Sequence, residues 1–304
     1  MAQYWMVERR AILRRMPSIE ANGITIEYDV RGEGEPMLFV MGLAGQLTDW
    51  PDEVMDLFVE RGFQTIRFDN RDIGLSTQDT WEPPGQAKLA RSFLTRRPLK
   101  DVGYTVPDMA ADAAGLLSAL GIESAHVVGI SMGGMIVQEM AINHPETVRS
   151  MCSIMSHTGD RKHGGIAASL LRKLARRPDP AFATAVDDSV RLFSLISGPH
   201  FDPVEHRKLA ELAVSRSFTP TGVARQTAAI AGSRDRTKLL ASVTAPTLVV
   251  HGMVDPLVKP SGGIATTKAV PGSRLLMLPD MGHDLPRPRW NELRDAIVEN
   301  ARRL

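Results

Sequence analysis

The chain has 304 residues, 43% of them hydrophobic, enough to bury a sizeable core in one large α/β domain or two smaller ones. Its 36 basic and 35 acidic side chains leave a formal net charge of +1, which removes the electrostatic case for nucleic acid or an anionic membrane as partner. The single cysteine, Cys152, excludes an internal disulfide, and no window reaches the roughly 18 uninterrupted apolar residues of a membrane-spanning helix.

In chain order, Met1 to Met16 carries Glu8, Arg9, Arg10, Arg14 and Arg15 with no apolar stretch behind it. That is unlike a secretory signal. A frayed or surface-packed helix is expected there, with the cytoplasm as the default location. Ile24 to Val30 alternates apolar and polar as a half-exposed strand does, and Asn22-Gly23 before it is a hairpin signal, so the Ile19 region is expected to pair with it antiparallel. Gly32-Glu33-Gly34 breaks the chain before Met37 to Met41, a short apolar run suited to a strand covered on both faces. Trp50 to Arg61 has helical periodicity and stops at Gly62, and Gln64 to Phe68 is the next strand. Thr77 to Val106, polar and rich in Pro and Arg, reads as a long surface excursion. Val106 to Leu120 is expected to be a helix ended by Gly121, because Met109, Ala113, Leu116, Leu117 and Leu120 recur at helical spacing.

Ala125 to Ile130 then reads as a strand, Met132 to Asn143 as a helix, and Val148 to Ile154, Thr247 to Val250 and Arg274 to Leu278 as strands. Trp290 to Leu304 closes the chain as a helix. Strands alternating with helices from residue 37 onward predict a mostly parallel, doubly wound sheet flanked by helices. His157 to Asp235 interrupts this rhythm with helical segments (Ile166 to Arg176, Pro203 to Val214) and no convincing strand. The expected organisation is an α/β core of residues 1–156 and 236–304, with 157–235 inserted as a helical cap that needs the core to cover its apolar faces.

The most informative stretch is Gly129-Ile130-Ser131-Met132-Gly133, a Gly-x-Ser-x-Gly pattern between a strand and a helix. A turn that tight needs small neighbours, and it would present the Ser131 hydroxyl at the carboxyl edge of the sheet. A serine nucleophile needs a base and a group to hold that base, and in a parallel sheet the loops that meet are those after strand C-termini. Of eight histidines, His283 follows a late strand by a few residues, in Asp280-Met281-Gly282-His283. His126 lies within a strand, His144 sits at a helix end, and His157, His163, His200 and His206 belong to the insertion or its root. His251 ends its strand, leaving no room for the carboxylate that follows. Asp255 is the candidate for that carboxylate. Asp280 and Asp284 adjoin His283 in the chain, Asp280 too near to reach round and Asp284 expected to be solvated. Chain order is then Ser131, Asp255, His283, the order associated with this elbow.

An oxyanion would need donors in place beforehand; the backbone N–H groups of Met132, at a helix start, and of Leu43, in Met41-Gly42-Leu43-Ala44-Gly45, are the candidates. The glycines there also fit a simple turn. Asp69-Asn70-Arg71-Asp72-Ile73-Gly74-Leu75-Ser76 also follows a strand. It leaves two readings, a phosphate or carboxylate site, or Asp69 and Arg71 tying neighbouring loops together. Ser76 has no companion base nearby. Cys152, inside an apolar strand, is read as packed core.

Taken together, Met41-Gly42-Leu43, Asp69 to Ser76, Gly129 to Gly134, His251 to Pro256 and Gly282-His283 resemble, in order, the motifs of the α/β-hydrolase family, over nearly the whole chain from about residue 20. Within it the chain is similar to esterases and methylesterases of the aclacinomycin methylesterase type, which share Met-Gly and the Asp-x-Arg-Asp-x-Gly run. The resemblance implies a cap over the site and a triad of Ser131, Asp255 and His283. Many relatives carry His-Gly where this chain has Met41-Gly42, which keeps the backbone donors and makes the adjoining pocket more apolar. Ser131 argues against the haloalkane dehalogenases and epoxide hydrolases of this fold, which place Asp at the elbow.

The expected activity is hydrolysis of small to medium, rather apolar carboxylic esters, with neither metal nor organic cofactor. Leu170, Leu171, Phe182, Leu192, Phe193, Leu195 and Phe218 of the insertion suit an apolar substrate portion and equally suit packing. Three alternatives stay open: another acyl or C–C hydrolase (lactonase, amidase or ring-cleavage-product hydrolase), a cofactor-free haloperoxidase or perhydrolase, and a ligand-binding receptor with residual hydrolysis.

Overall fold

The first two strands, β1 (Ser18–Ala21) and β2 (Ile24–Arg31), form the expected antiparallel hairpin, with Ala21 opposite Ile24. Its turn residues Asn22 and Gly23 both have positive φ (50° and 77°), as the hairpin twist requires. This computed structural model describes residues 16–95, 97–160, 162–174 and 180–303, so the expectations for Met1 to Arg15, Ala175, Arg176 and Leu304 fall outside the described residues.

Six further strands follow: β3 (Glu35–Val40), β4 (Phe63–Phe68), β5 (Ala125–Ile130), β6 (Val148–Ile154), β7 (Thr247–Gly252) and β8 (Arg274–Leu278). The sheet order is β1-β2-β4-β3-β5-β6-β7-β8; β1 and β2 are antiparallel to their neighbours and every later pair is parallel. The flanking helices up to β6 are α1 (Asp52–Val59), α2 (Gln86–Thr95), α3 (Val106–Ala119) and α4 (Met132–Asn143). Between β6 and β7 come α5 (Ala168–Leu174), α6 (Ala185–Ile196), α7 (Pro203–Arg216) and α8 (Pro220–Gly232), followed by α9 (Ser261–Ala269) and α10 (Trp290–Ala301).

Strand alternation explains the layering. On β3, Leu38 and Val40 pack into one cluster with Met109, Leu116 and Ile136 of α3 and α4. Met37 and Phe39 point the other way, into a second cluster with Phe58 of α1 and Ile297 of α10. All four β3 side chains are fully buried. This is the mostly parallel, doubly wound sheet flanked by helices that the alternation of strands and helices predicts.

Four helices fall outside the helical ranges named from the sequence. α2 lies inside the surface excursion from Thr77 to Val106, and α6 and α8 lie in the insertion. The α6 signal was present: Val186, Val190 and Phe193 recur at i, i+4 and i+7. α9 opens Ser261-Gly262-Gly263, a poor helix start on propensity that burial of Ala265 and Thr266 overrides. Where side-chain caps are strong, the starts are plain. The Asp202 carboxylate accepts from the amides of Val204 (2.8 Å) and Glu205 (3.2 Å) ahead of Pro203, and Thr105 with Asp108 forms a capping box at α3.

Candidate active site

The strand β5 ends at Ile130 and α4 begins at Met132, so Ser131 alone makes the turn, at φ 55° and ψ −116°. A non-glycine residue there carries about 1–3 kcal/mol of backbone strain. Its peptide is held by the Ser131 amide donating to the Ile154 carbonyl at 2.9 Å. The approach of α4 to the sheet leaves no space on either side. A Cβ at Gly133 would run into the Val40 carbonyl, and one at Gly129 into the carbonyl of Gly133.

His283, in the loop after β8, places Nε2 3.0 Å from Ser131 Oγ and Nδ1 2.7 Å from Asp255 Oδ2. A carboxylate only accepts, so Nδ1 carries the proton and the Nε2 lone pair faces the serine hydroxyl. Asp255, 3% exposed, is fixed on its other oxygen, Oδ1, by the amides of Leu257 (2.8 Å) and Val258 (2.9 Å). The loop after β7 thus supplies both the carboxylate and the amides that aim it.

The other histidines make their hydrogen bonds elsewhere. His251 is buried, with Nε2 donating to the Val258 carbonyl at 2.8 Å, and burial holds it below the usual imidazole range. His126 Nδ1 lies 2.8 Å from Ser150 Oγ within the sheet. Burial, then the Arg236 charge, pushes His157 down to about 4. His163 meets Asp160 at 2.5 Å and His206 lies 3.0 Å from Ser189 Oγ. His200 and Arg289 both bind Asp280; the Arg289 hydrogen bonds first, then that of His200, hold its carboxyl down to about 2.

Asp284 corrects an expectation: it is half-buried and hydrogen-bonded rather than simply solvated. Its Oδ1 accepts from the amides of Gly282 (2.9 Å) and Gly198 (3.1 Å), and burial pushes its carboxyl up. A chain-adjacent carboxylate looks dispensable in sequence, since its second partner lies 86 residues away.

The loop after β3 stands against the elbow. An added Cβ on Gly42 would sit 3.1 Å from Ser131 Cβ. Its carbonyls and amides are gripped from outside: Asn70 Nδ2 donates to Met41 O (3.0 Å), and Ala44, at φ 66°, donates its N–H to Gln226 Oε1 (3.1 Å). Gln226 Nε2 in turn donates to the Arg71 carbonyl at 2.9 Å. Nothing in the sequence marked Gln226, a helix residue 182 positions from its partner.

The Asp69 to Ser76 run forms a hub of ties. Asp69 accepts from the amides of Leu47 (2.8 Å) and Leu75 (2.9 Å) and pairs with Arg216 of α7 at 2.7 Å. Arg71 pairs with Asp112 of α3, and Asp72 with Arg225 of α8 at 2.9 Å and the Tyr104 hydroxyl at 2.7 Å. The Ser76 hydroxyl donates to the Asp69 carbonyl at 2.7 Å and accepts from the Glu27 amide, buried away from any base. Cys152 is buried in β6, and burial raises its thiol far above the ordinary range.

A cleft of about 2970 Å³ opens between this edge and the helices that lie between β6 and β7, with Ser131, His283 and Met155 on its floor side and Leu192, Phe193 and Leu209 on α6 and α7. In chemical terms the arrangement offers a hydroxyl hydrogen-bonded to a buried, carboxylate-backed imidazole, facing an apolar wall.

Comparison with known proteins agrees with this architecture. A profile of the α/β hydrolase fold matches residues 35–286. The chain is 28% identical over 265 residues to BpoC of Mycobacterium tuberculosis, provisionally named a non-heme bromoperoxidase, covering 86% of this chain and 91% of that one. It is 25% identical over 288 residues to the rhodomycin D methylesterase DnrP of Streptomyces peucetius, covering 88% and 91%. Among solved structures, the enol-lactonase of Burkholderia xenovorans superposes with a TM-score of 0.73 at 19% identity, covering 93% of this chain and 99% of that one. With the strand order, the elbow and a profile match over most of its length, the chain belongs to the α/β hydrolase fold family.

Proposed function

We propose that the protein is a serine carboxylesterase acting on small to medium, rather apolar esters. The observation that carries this reading is the unbroken chain of hydrogen bonds from Ser131 Oγ through His283 to Asp255. In the proposed mechanism His283 Nε2 takes the hydroxyl proton as Ser131 Oγ attacks the ester carbonyl. The amides of Leu43 and Met132 hold the oxyanion, and removing one such donor typically costs about a hundred- to thousandfold in rate. The tetrahedral intermediate expels the alkoxide with the proton from His283. Water, deprotonated by the same imidazole, then releases the acid and restores Ser131. Asp255 stabilises the imidazolium at both steps.

Residues 157–235 act in this reading as a cap whose apolar face selects the substrate. The methylesterase activity named for DnrP favours a small alcohol leaving group. A second reading has one observation behind it, the bromoperoxidase name carried by BpoC: hydrogen peroxide would replace water in deacylation, giving a peracid on the same residues.

Turnover of p-nitrophenyl esters from acetate to decanoate, in EDTA, by wild type and Ser131→Ala tests the mechanism. The expected result is a loss of about 10⁴- to 10⁶-fold in kcat. Activity surviving in S131A would sink it.

A further inference from the structure

The inserted segment is fastened to the base loop at the point where α6 ends. The backbone N–H of His283 itself donates to the carbonyl of Ile196, the last residue of α6, at 2.8 Å. Two residues on, the Gly198 amide donates to Asp284 Oδ1 at 3.1 Å, and that same oxygen accepts from Gly282 at 2.9 Å. One carboxylate oxygen therefore joins the insertion to the residue before the histidine. The two backbones touch: a Cβ at Gly198 would strike the Asp280 carbonyl, and one at Gly282 would strike the Gly198 amide. His200 adds an outer tie to Asp280 at 2.7 Å.

We propose that Asp284 is a positioning residue that locks the His283 loop onto the end of α6, so that the inserted helix helps to set where the imidazole stands. This rests on the hydrolase reading above. Asp255 fixes the ring through Nδ1, but the ring's distance from Ser131 also depends on where the peptide 282–284 lies. That peptide follows β8 as an irregular loop, and its backbone anchors include the Ile196 carbonyl and Asp284. α6 also lines the cleft through Leu192, Phe193 and Ile196. A substrate group pressing on those side chains presses on the peptide that holds the base, which couples occupancy of the cleft to the alignment of His283. The hydrogen bonds of Asp284 go to the amides of Gly198 and Gly282, and although its charge also lies near His283, in this scheme it acts through the two amides it holds.

The test compares Asp284→Ala, Asp284→Asn and Asp284→Glu in the full chain with wild type and S131A, using p-nitrophenyl butyrate. Asn keeps an acceptor oxygen without the charge, and Glu keeps the charge but displaces it by a methylene. The readouts are kcat and KM, the rate of Ser131 modification by a p-nitrophenyl phosphonate, the downfield proton resonance of His283 Nδ1–H, and Tm. Misplacement of a catalytic group by about 1 Å lowers rate by about a hundredfold. D284A is therefore expected to lose about ten- to a hundredfold in kcat and in phosphonylation at nearly constant KM, with the Nδ1–H resonance broadened. D284N is expected to recover most of the loss. If D284A does not fold, D284E carries the test and is expected to lose kcat with KM retained. Wild-type kcat and resonance in D284A, D284N as impaired as D284A, or wild-type kcat in D284E would each overturn the proposal. Turnover surviving in S131A would instead overturn the hydrolase reading beneath it.

Discussion

The strands beneath the candidate site and the helices above it are held by different forces. In β3, β5, β6 and β7 most side chains are buried, and the two apolar clusters run on opposite faces of these strands. Between β6 and β7, by contrast, α6 buries only Ile196 and α7 only Ala210, while Phe182 stands 64% exposed. What binds these helices to the core is polar and directional: Arg216 to Asp69, Arg225 to Asp72, Arg234 to Glu139, and Asp284 to Gly198. α8 is intermediate, placing Ala229 in the main core beside the buried Arg225 and Gln226. Apolar burial is non-directional and makes a stiff frame, which suits reacting groups. Charged pairs fix a helix at a chosen point without demanding a continuous apolar face, which leaves the wall of the cleft free to differ in shape.

The contrast can be broken at three places. The largest effect is expected on the frame side: Asp255→Asn should lower kcat by about 10⁴-fold, through the wrong imidazole tautomer, with the fold intact. Steady-state kinetics beside circular dichroism measures both, and a loss below tenfold would detach Asp255 from the chemistry. Next comes a tie. Arg225→Met leaves Asp72, fully buried, without its cation, and breaking such a pair costs about 3–5 kcal/mol. Urea unfolding should show that loss, and limited proteolysis should find residues 157–235 cut first; unchanged stability would mean that apolar packing holds the insertion after all. The smallest effect concerns acid. Burial holds His206 down to about 4 against about 6.5 in the unfolded chain, so as pH falls the unfolded state takes up the proton first. The stabilisation is complete above about 6.5 and is lost as pH drops through the folded value. His206→Phe, which keeps a ring against Phe193, should flatten the fall in Tm between pH 7 and 4.5 by about 1–2 °C. An unaltered slope would place the acid sensitivity of the insertion elsewhere.

How far the chain could be read follows the same division. The strands were legible because β3 and β5 to β7 are short apolar runs bounded by turns, a local signal. Ser131, Asp255 and His283 could be nominated because each follows a strand, and a parallel sheet sends those loops to one edge. The α6 helix carries a local period in Val186, Val190 and Phe193, but α8, α9 and the groups that grip the loops were not legible in this way. Gln226 and Ala44 are 182 positions apart, Arg225 and Asp72 are 153 apart, and neither pairing leaves any period in the sequence. The expectation of a solvated Asp284 failed for the same reason, since its partner Gly198 lies 86 positions away.

The left-handed backbone at residue 131 has one more consequence. Glycine would relieve that conformation, and would be the better residue there if folding were the only demand. A chain drifting under selection for stability alone should therefore lose its hydroxyl at this position, and an effort to harden the protein by consensus or design should leave residue 131 out of its search. Under the proposed mechanism, serine at so unfavourable an angle is a strain the fold carries for the sake of its hydroxyl.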